Sequence, residues 1–392
     1  MDYSSATTTL FSRPVADLQD HHDHEKDHNN NNNNTTVFDL SFLRDQNNIP
    51  ANFIWPEGDL PSSSDAEELL KATVVDLKGF FKGDEAETRV AAEFVQEACS
   101  SHGFFHVINH GVDPHLIELA QQHMDSFFKL PVSEKLRALT KPGSSSGYSA
   151  AHAERFSSTL PWKETLSFGF HEDSSVPIVQ HYFSSTFGED FENTGMVYQL
   201  YCEAMMKLCL EIMELLAISL GIDRMEYRKF FEDGRSIMRC NYYPPCMQPN
   251  LALGTGAHCD PTSLTILHQD QVAGLQVFHN NKWLSVPPLK AALVINIGDT
   301  FMALSNGKYK SSLHRAVVNK YKERKSMAFF LCPKEDKVVR PPKELLLGEE
   351  TRLYPNFTWS ELLHFVKHFY RSDNATFQNF INRQLPLPTS FD

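Results

Sequence analysis

Three side chains suited to sharing one ion are spread over 56 residues of this chain, and only a fold that lays a distant strand beside the first can bring them together. His258-Cys259-Asp260 supplies an imidazole and a carboxylate; His314 supplies a second imidazole. In an extended segment the side chains at i and i+2 point the same way. His258 and Asp260 can therefore reach one point while Cys259 is directed elsewhere, and the third donor must arrive on another strand. Two neutral imidazoles and one carboxylate form the facial ligand set of a non-haem Fe(II) centre, which leaves the opposite face open to an organic co-substrate and O₂. A His-x-Asp by itself says little in a chain with 18 histidines. Its neighbourhood gives it weight.

Short apolar runs surround the motif: 263–268, 274–278, 283–286, 293–297, 313–319 and 327–332. They are rich in Val, Ile, Leu and Phe, and are separated by turn formers such as Asn280-Asn281, Pro287-Pro288, Gly298-Asp299 and Asn306-Gly307. Many short strands at this spacing predict a jelly-roll barrel with an ion in its mouth. The expected fold class is mixed α/β with a mainly β core: a double-stranded β-helix (jelly-roll, cupin-like) barrel flanked by helices, preceded by a mostly helical N-terminal region.

Ten residues beyond His314 stands Arg324-Lys325-Ser326. Alternation places Arg324 and Ser326 on one face, where a planar guanidinium fork and a hydroxyl can clamp a carboxylate. Taken alone, the tripeptide reads more readily as a surface turn. Upstream, Arg239, Asn241 and Tyr243 alternate onto one face before Pro244-Pro245 ends the strand. They are either donors for an oxygen-rich group beside the ion or a strand end with a core tyrosine.

With these residues in view, the chain resembles the plant 2-oxoglutarate- and Fe(II)-dependent dioxygenases, and among them the gibberellin 20-oxidase family. The resemblance is carried by Asn241-Tyr242-Tyr243-Pro244-Pro245-Cys246, by the stretch from Gly254 to Asp270 that contains His258 and Asp260, and by His314 to Asn319. Leu160-Pro161-Trp162-Lys163-Glu164-Thr165 looks like the segment that sets the 20-oxidases apart. The likeness runs from about Phe53 to the C-terminus. It implies Fe(II) on His258, Asp260 and His314, and 2-oxoglutarate held by Arg324 and Ser326 with Tyr243 and Asn241 assisting. It implies O₂ as co-substrate, ascorbate as reductant, and a diterpenoid acid whose carbon 20 is oxidised from methyl to alcohol to aldehyde and then lost. Trp162 and Lys163 are the expected substrate contacts, Lys163 toward a carboxylate. Trp162 reads alternatively as the anchor of a surface loop. The rival readings are a sister dioxygenase acting on gibberellin carbon 2 or 3 or on a flavonoid, a cupin-like binding protein without turnover, and a zinc hydrolase in which Arg324 and Ser326 would have no role.

Charge and composition narrow the partners. A net charge of −13 argues against nucleic acid, which demands a basic footprint, and requires local cations to capture an anionic ligand. No apolar run approaches the ~18 residues that span a bilayer. Seven cysteines without framework spacing suit a reducing compartment. Met1 to Ser5 lacks a basic start and an apolar segment, so no secretory signal is expected; the expected form is a cytoplasmic monomer.

Three regions are expected: 1–52, a disordered low-complexity tail; 53–233, an N-terminal α/β region; and 234–392, the catalytic jelly roll with C-terminal helices. In the tail, His21, His22, His24 and His28 precede Asn29 to Asn34, a composition that cannot bury enough surface to fold; weak metal binding is the other reading of its histidines. In the second region, Val74 to Leu77 and 103–111 read as strands. Helices are expected over 86–101 and from Asp113-Pro114 to about Lys129, the aspartate capping and the proline in the first turn. Another runs from about Gly195 to Leu220 and presents Leu200, Met205, Leu208, Ile212, Leu215, Leu216 and Leu220 to the barrel. Gly143 to Gly147 looks like an entry loop. His106, His110 and His268 read as structural histidines, His268 near the site without coordinating.

Overall fold

The computed structural model describes residues 12–14, 36–38, 48–61, 68–141, 144, 146–151, 159–172, 176–346, 351–369 and 375–384. His21, His22, His24, His28 and Asn29 to Asn34 of the expected tail lie outside these residues, as do Gly143 and Ser145 of the expected entry loop. Within the tail, Ser12–Pro14 pairs antiparallel with Thr36–Phe38.

Two facing sheets make the barrel. Their strands, in chain order, are β1 (Thr73–Asp76), β2 (Phe104–Ile108), β3 (Gly147–Ala150), β4 (Glu164–Phe170), β5 (Arg235–Tyr243), β6 (Leu253–His258), β7 (Leu264–Gln269), β8 (Leu275–His279), β9 (Lys282–Ser285), β10 (Leu293–Ile297), β11 (His314–Val317) and β12 (Arg324–Cys332). The eight-stranded sheet has the order β1-β2-β10-β7-β12-β5-β4-β3, and the four-stranded sheet β9-β8-β11-β6. Among these strands, only β1 and β2 form a parallel ladder with each other. The large sheet takes strands from both sides of the expected boundary at residue 234, so the N-terminal region completes the same sheet that carries the clamp.

Alternation sorts the large sheet cleanly. Leu166, Phe168, Met238, Cys240, Leu264, Ile266, Met327, Phe329 and Leu331 face the helical layer and belong to the main core. Their neighbours Lys163, Arg239, Asn241, Tyr243, Thr265, Leu267, Ser326, Ala328 and Phe330 line the interior. One face therefore anchors the sheet by apolar burial, at about 25 cal/mol per Å², and frees the other for polar chemistry. The long helix Glu192–Ser219 supplies most of the covering layer, through residues including Met205, Leu208, Ile212, Leu215 and Leu216. Leu200 corrects the expected stripe: it is 48% exposed, on the solvent side of the helix. The helix Pro114–Phe128 starts as expected, with the Asp113 carboxylate accepting from the His115 amide. Trp359–Phe369 and Ala375–Gln384 close one side with Trp359, Phe365, Phe377 and Phe380 in the core. No helix among the described residues is long and apolar enough to cross a membrane. All seven cysteines are free thiols.

The segment 48–61 straps the outside of the small sheet. Trp55 lies so close to Gly256 that a Cβ there would sit 2.3 Å from its ring. Arg315 reaches outward to the Asp59 carbonyl at 2.9 Å, and its guanidinium stands 4.0 Å from the Trp283 ring. At the turn into β2, Gly103 has φ +73°, and a Cβ would fall 2.0 Å from the Lys310 carbonyl oxygen. Both the backbone conformation and the space exclude a side chain there. Gly103→Ala is expected to cost at least about 2 kcal/mol, read as a lower urea midpoint with an unchanged slope.

Candidate metal centre and carboxylate clamp

β11 lies antiparallel to β6 with His314 opposite His258. Two steps along β11 match three along β6, since Ala316 pairs with Thr255. The extra residue is a β-bulge, which resets the alternation and lets both Thr255 and His258 line the interior. Asp260 follows just beyond β6, and one donor atom from each of His258, Asp260 and His314 lies within 4.8 Å of the others. The two Nε2 atoms stand 3.7 and 3.8 Å from Asp260 Oδ1.

Each donor is aimed by a second contact. His258 Nδ1 is 2.9 Å from the Gly256 carbonyl, and His314 Nδ1 is 3.1 Å from the Ser312 carbonyl. A carbonyl only accepts, so the proton sits on Nδ1 in both rings and each Nε2 lone pair points inward. Asp260 Oδ2 accepts from Thr265 Oγ1 at 2.6 Å and Asn296 Nδ2 at 2.9 Å, which leaves Oδ1 for an ion. Burial by itself would raise the Asp260 pKa; positive charge on His314 or His258 when either ring is protonated, together with these two hydrogen bonds, outweighs it and lowers the group below the usual carboxylate range. Cys259 turns away, its Sγ 4.0 Å from the Ser311 carbonyl, and burial pushes its thiol up.

The clamp residues face one another across β12 and β5, Arg324 opposite Tyr243 and Ser326 opposite Asn241. Arg324 is 2% exposed. Its Nη2 donates to Gln269 Oε1 at 2.8 Å, and its Cζ stands 5.0 Å from the centre of the Tyr243 ring. Asn241 Nδ2 donates to Ser326 Oγ at 3.3 Å. Lys163 Nζ donates to Thr255 Oγ1 at 3.0 Å, and the Tyr243 hydroxyl is 3.4 Å from the same oxygen. Apart from Gln269, these residues line one cavity with the triad, open on one side to solvent.

The site fits the groups the motifs call for. Two nitrogen donors and one oxygen donor, open on one side, suit a borderline divalent ion such as Fe(II). Buried Arg324 Nε has no hydrogen-bond partner among the described residues, and an orphaned cationic donor in a polar cavity suits a carboxylate ligand.

Trp162 is placed elsewhere. It is fully buried, its indole N–H donates to the Pro244 and Pro245 carbonyls at 3.2 and 3.3 Å, and Phe53 packs edge-on at 5.1 Å. It is not among the residues lining the cavity. This placement matches the anchoring alternative: an aromatic ring flanked by prolines buries more surface inside the wall than at its edge. His268 also lies off the site, on the core-facing side of β7 opposite Thr265 and Leu267; burial lowers its pKa to about 4, helped by nearby His110. His106 and His110 join no cluster of metal donors among the described residues. The sequence reading missed Thr265, Asn296 and Gln269. Asn296 carried a signal, as the one polar residue in Leu293–Ile297. Thr265 and Gln269 carried only their alternation with Leu267.

Two family descriptions match the chain: the 2OG-Fe(II) oxygenase superfamily over residues 234–333, and the non-haem dioxygenase in morphine synthesis N-terminal over 73–186. Gibberellin 20 oxidase 2 of Oryza sativa subsp. indica is 55% identical over 338 residues, 86% of each chain. Gibberellin 20 oxidase 3 of Arabidopsis thaliana is 53% identical over 351 residues, 88% of this chain and 92% of the relative. Among solved structures, JOX2 in complex with 2OG, Fe and JA superposes with a TM-score of 0.77 at 30% identity, covering 88% of this chain and 98% of that one. Thr265→Val keeps the shape of the Asp260 support but removes its hydroxyl. Affinity for Fe(II) or Mn(II), measured by calorimetric titration, is expected to fall about tenfold or more.

Proposed function

This chain belongs to the gibberellin 20-oxidase family of 2OG-Fe(II) oxygenases, and on that footing we propose how its residues divide the work. The reaction is the oxidation of carbon 20 of gibberellin precursors, methyl to alcohol to aldehyde and then loss of the carbon, within gibberellin biosynthesis. Bound in the site, Fe(II) with 2-oxoglutarate and O₂ supplies the oxidising power, with succinate and CO₂ as by-products and ascorbate as reductant. His258, Asp260 and His314 hold the ion. Arg324 and Ser326, with Tyr243 and Asn241, hold the far carboxylate of 2-oxoglutarate. The observation that carries this reading is the meeting of three donor atoms within 4.8 Å in one cavity with a buried guanidinium whose Nε has no hydrogen-bond partner among the described residues.

The protein's own contribution is placement. Thr265 and Asn296 fix which carboxylate oxygen faces the ion, and the Gly256 and Ser312 carbonyls fix the imidazole tautomers. Lys163, on the cavity wall beside Thr255, receives a carboxylate of the acid substrate, while Phe104, Leu267, Leu275 and Phe330 offer apolar surface to its skeleton and exclude water. Trp162, locked between Phe53 and the two proline carbonyls, holds the segment that carries Lys163. We divide the chain into a tail (1–52), a sheet-completing N-terminal region (53–233) and the catalytic region (234–392). The enzyme acts as a cytoplasmic monomer without nucleic acid. All three donor residues come from one chain, the seven thiols are unpaired, and the net charge is −13.

Mass spectrometry of products from a carbon-20 gibberellin incubated with Fe(II), 2-oxoglutarate and ascorbate is expected to show alcohol, aldehyde and carbon-20-free products in succession. A product hydroxylated elsewhere with carbon 20 intact would overturn the reading. Arg324→Lys keeps the charge but loses the fork, and is expected to raise the KM for 2-oxoglutarate about tenfold or more. Lys163→Ala is expected to raise the gibberellin KM by about tenfold and leave that for 2-oxoglutarate unchanged; unchanged gibberellin kinetics would remove Lys163 from the site.

A further inference from the structure

Glu164 follows Lys163 in sequence but faces the opposite way. Lys163 reaches into the cavity; Glu164 reaches into the layer between sheet and helices, as strand alternation requires. There Lys135 Nζ donates to Glu164 Oε2 at 2.6 Å, and the Tyr148 hydroxyl donates to the same oxygen at 2.8 Å. The Lys135 and Glu164 side chains are 2% and 3% exposed, and no other lysine or arginine ion pair among the described residues is so buried on both sides. Lys135 also donates to the carbonyl of Phe128, the last residue of Pro114–Phe128, where the helix dipole favours a cation. One ammonium thus ties a helix end to the first residue of β4, and Tyr148 ties in β3.

Stability does not account for this pair. Stripping water from two charges is costly, and a well-packed apolar pair of similar volume often serves folding as well or better. What apolar contact lacks is direction. Hydrogen bonds of fixed geometry pin the entry of β4, and its register carries that position along the cavity wall: Glu164 lies opposite Tyr242, Thr165 opposite Asn241, Ser167 opposite Arg239. A slip of one residue would turn Lys163 away from the cavity. We propose that Glu164, held by Lys135 and Tyr148, is a positioning residue for substrate recognition, setting where the Lys163 ammonium stands to receive the carboxylate of the acid substrate. The proposal rests on the role given to Lys163 above.

The test uses the full-length enzyme with Fe(II), 2-oxoglutarate, ascorbate and a carbon-20 gibberellin. Lys135→Met/Glu164→Leu replaces the pair by apolar groups, and its melting temperature is expected to fall no further than the loss of the Tyr148 hydrogen bond accounts for, a cost that Tyr148→Phe measures separately. Its gibberellin KM should rise about tenfold, because ångström-scale displacement of a positioning group is costly, while the KM for 2-oxoglutarate stays at the parental value. Adding Lys163→Ala to this variant should raise the gibberellin KM no further, since both changes remove the same contact. Parental gibberellin KM in the folded double variant overturns the proposal, and so does a further full rise on adding Lys163→Ala. Should the double variant fail to fold, Tyr148→Phe decides: an increase of about threefold in gibberellin KM at unchanged 2-oxoglutarate KM is expected for the loss of one hydrogen bond, and no increase overturns it. Lys163→Ala alone, with Lys135 and Glu164 in place, tests the underlying role separately; parental kinetics there would remove that role and the proposal with it.

Discussion

A carboxylate taken out of water must be compensated, and Asp260 is where this protein meets that demand. Burial pushes the group toward its neutral form, which could not hold a cation. Positive charge on the two rings when either is protonated, and the Thr265 and Asn296 donors on the other side, reverse that tendency. The two sides are not equivalent. Oδ2 is committed to protein donors and Oδ1 faces both Nε2 atoms, so the carboxylate is ionised and aimed before any ion arrives. Much of the barrel serves this arrangement. β7 carries Thr265, β10 carries Asn296, and β11 brings His314 to His258.

The two ends of the cavity answer different requirements. Near Asp260, neutral rings and hydrogen-bond donors are set to bind a cation. Along β5 and β12, Arg324 and its neighbours form the proposed anion site, on a protein whose net charge of −13 repels anions at a distance. Capture therefore depends on short-range, desolvated contacts. The outer face of the same sheet is apolar and locked against Glu192–Ser219. Rigidity on that side holds the polar side chains still on the other, and placement to within an ångström is what selective oxidation of one C–H group demands.

Much of this was legible in the sequence because it depends on local rules. Alternation put Arg239, Asn241 and Tyr243 on one face, and Arg324 with Ser326, and the structure places all five along the cavity. The Asp113 cap and the short strands between turn formers followed from backbone preferences. Leu200 was misread because an apolar residue at helical spacing was assigned to the buried stripe, whereas the covering layer does not extend over its side of the helix. Trp162 belonged to a segment that resemblance tied to substrate, and resemblance marks a segment without saying which of its side chains turns inward.

The sequence by itself determined the donors, their chemistry and the strand pattern, since residue type and period-two alternation are properties of the chain. Only the tertiary structure decided which distant groups complete the site. The bulge that puts both Thr255 and His258 inside, the Asn296 support of Asp260, and the closure of Lys135 on Glu164 arise between elements well separated in sequence, while Thr265 meets Asp260 across the bend at 261–263. Their partners are chosen by register and packing, and no local pattern encodes either.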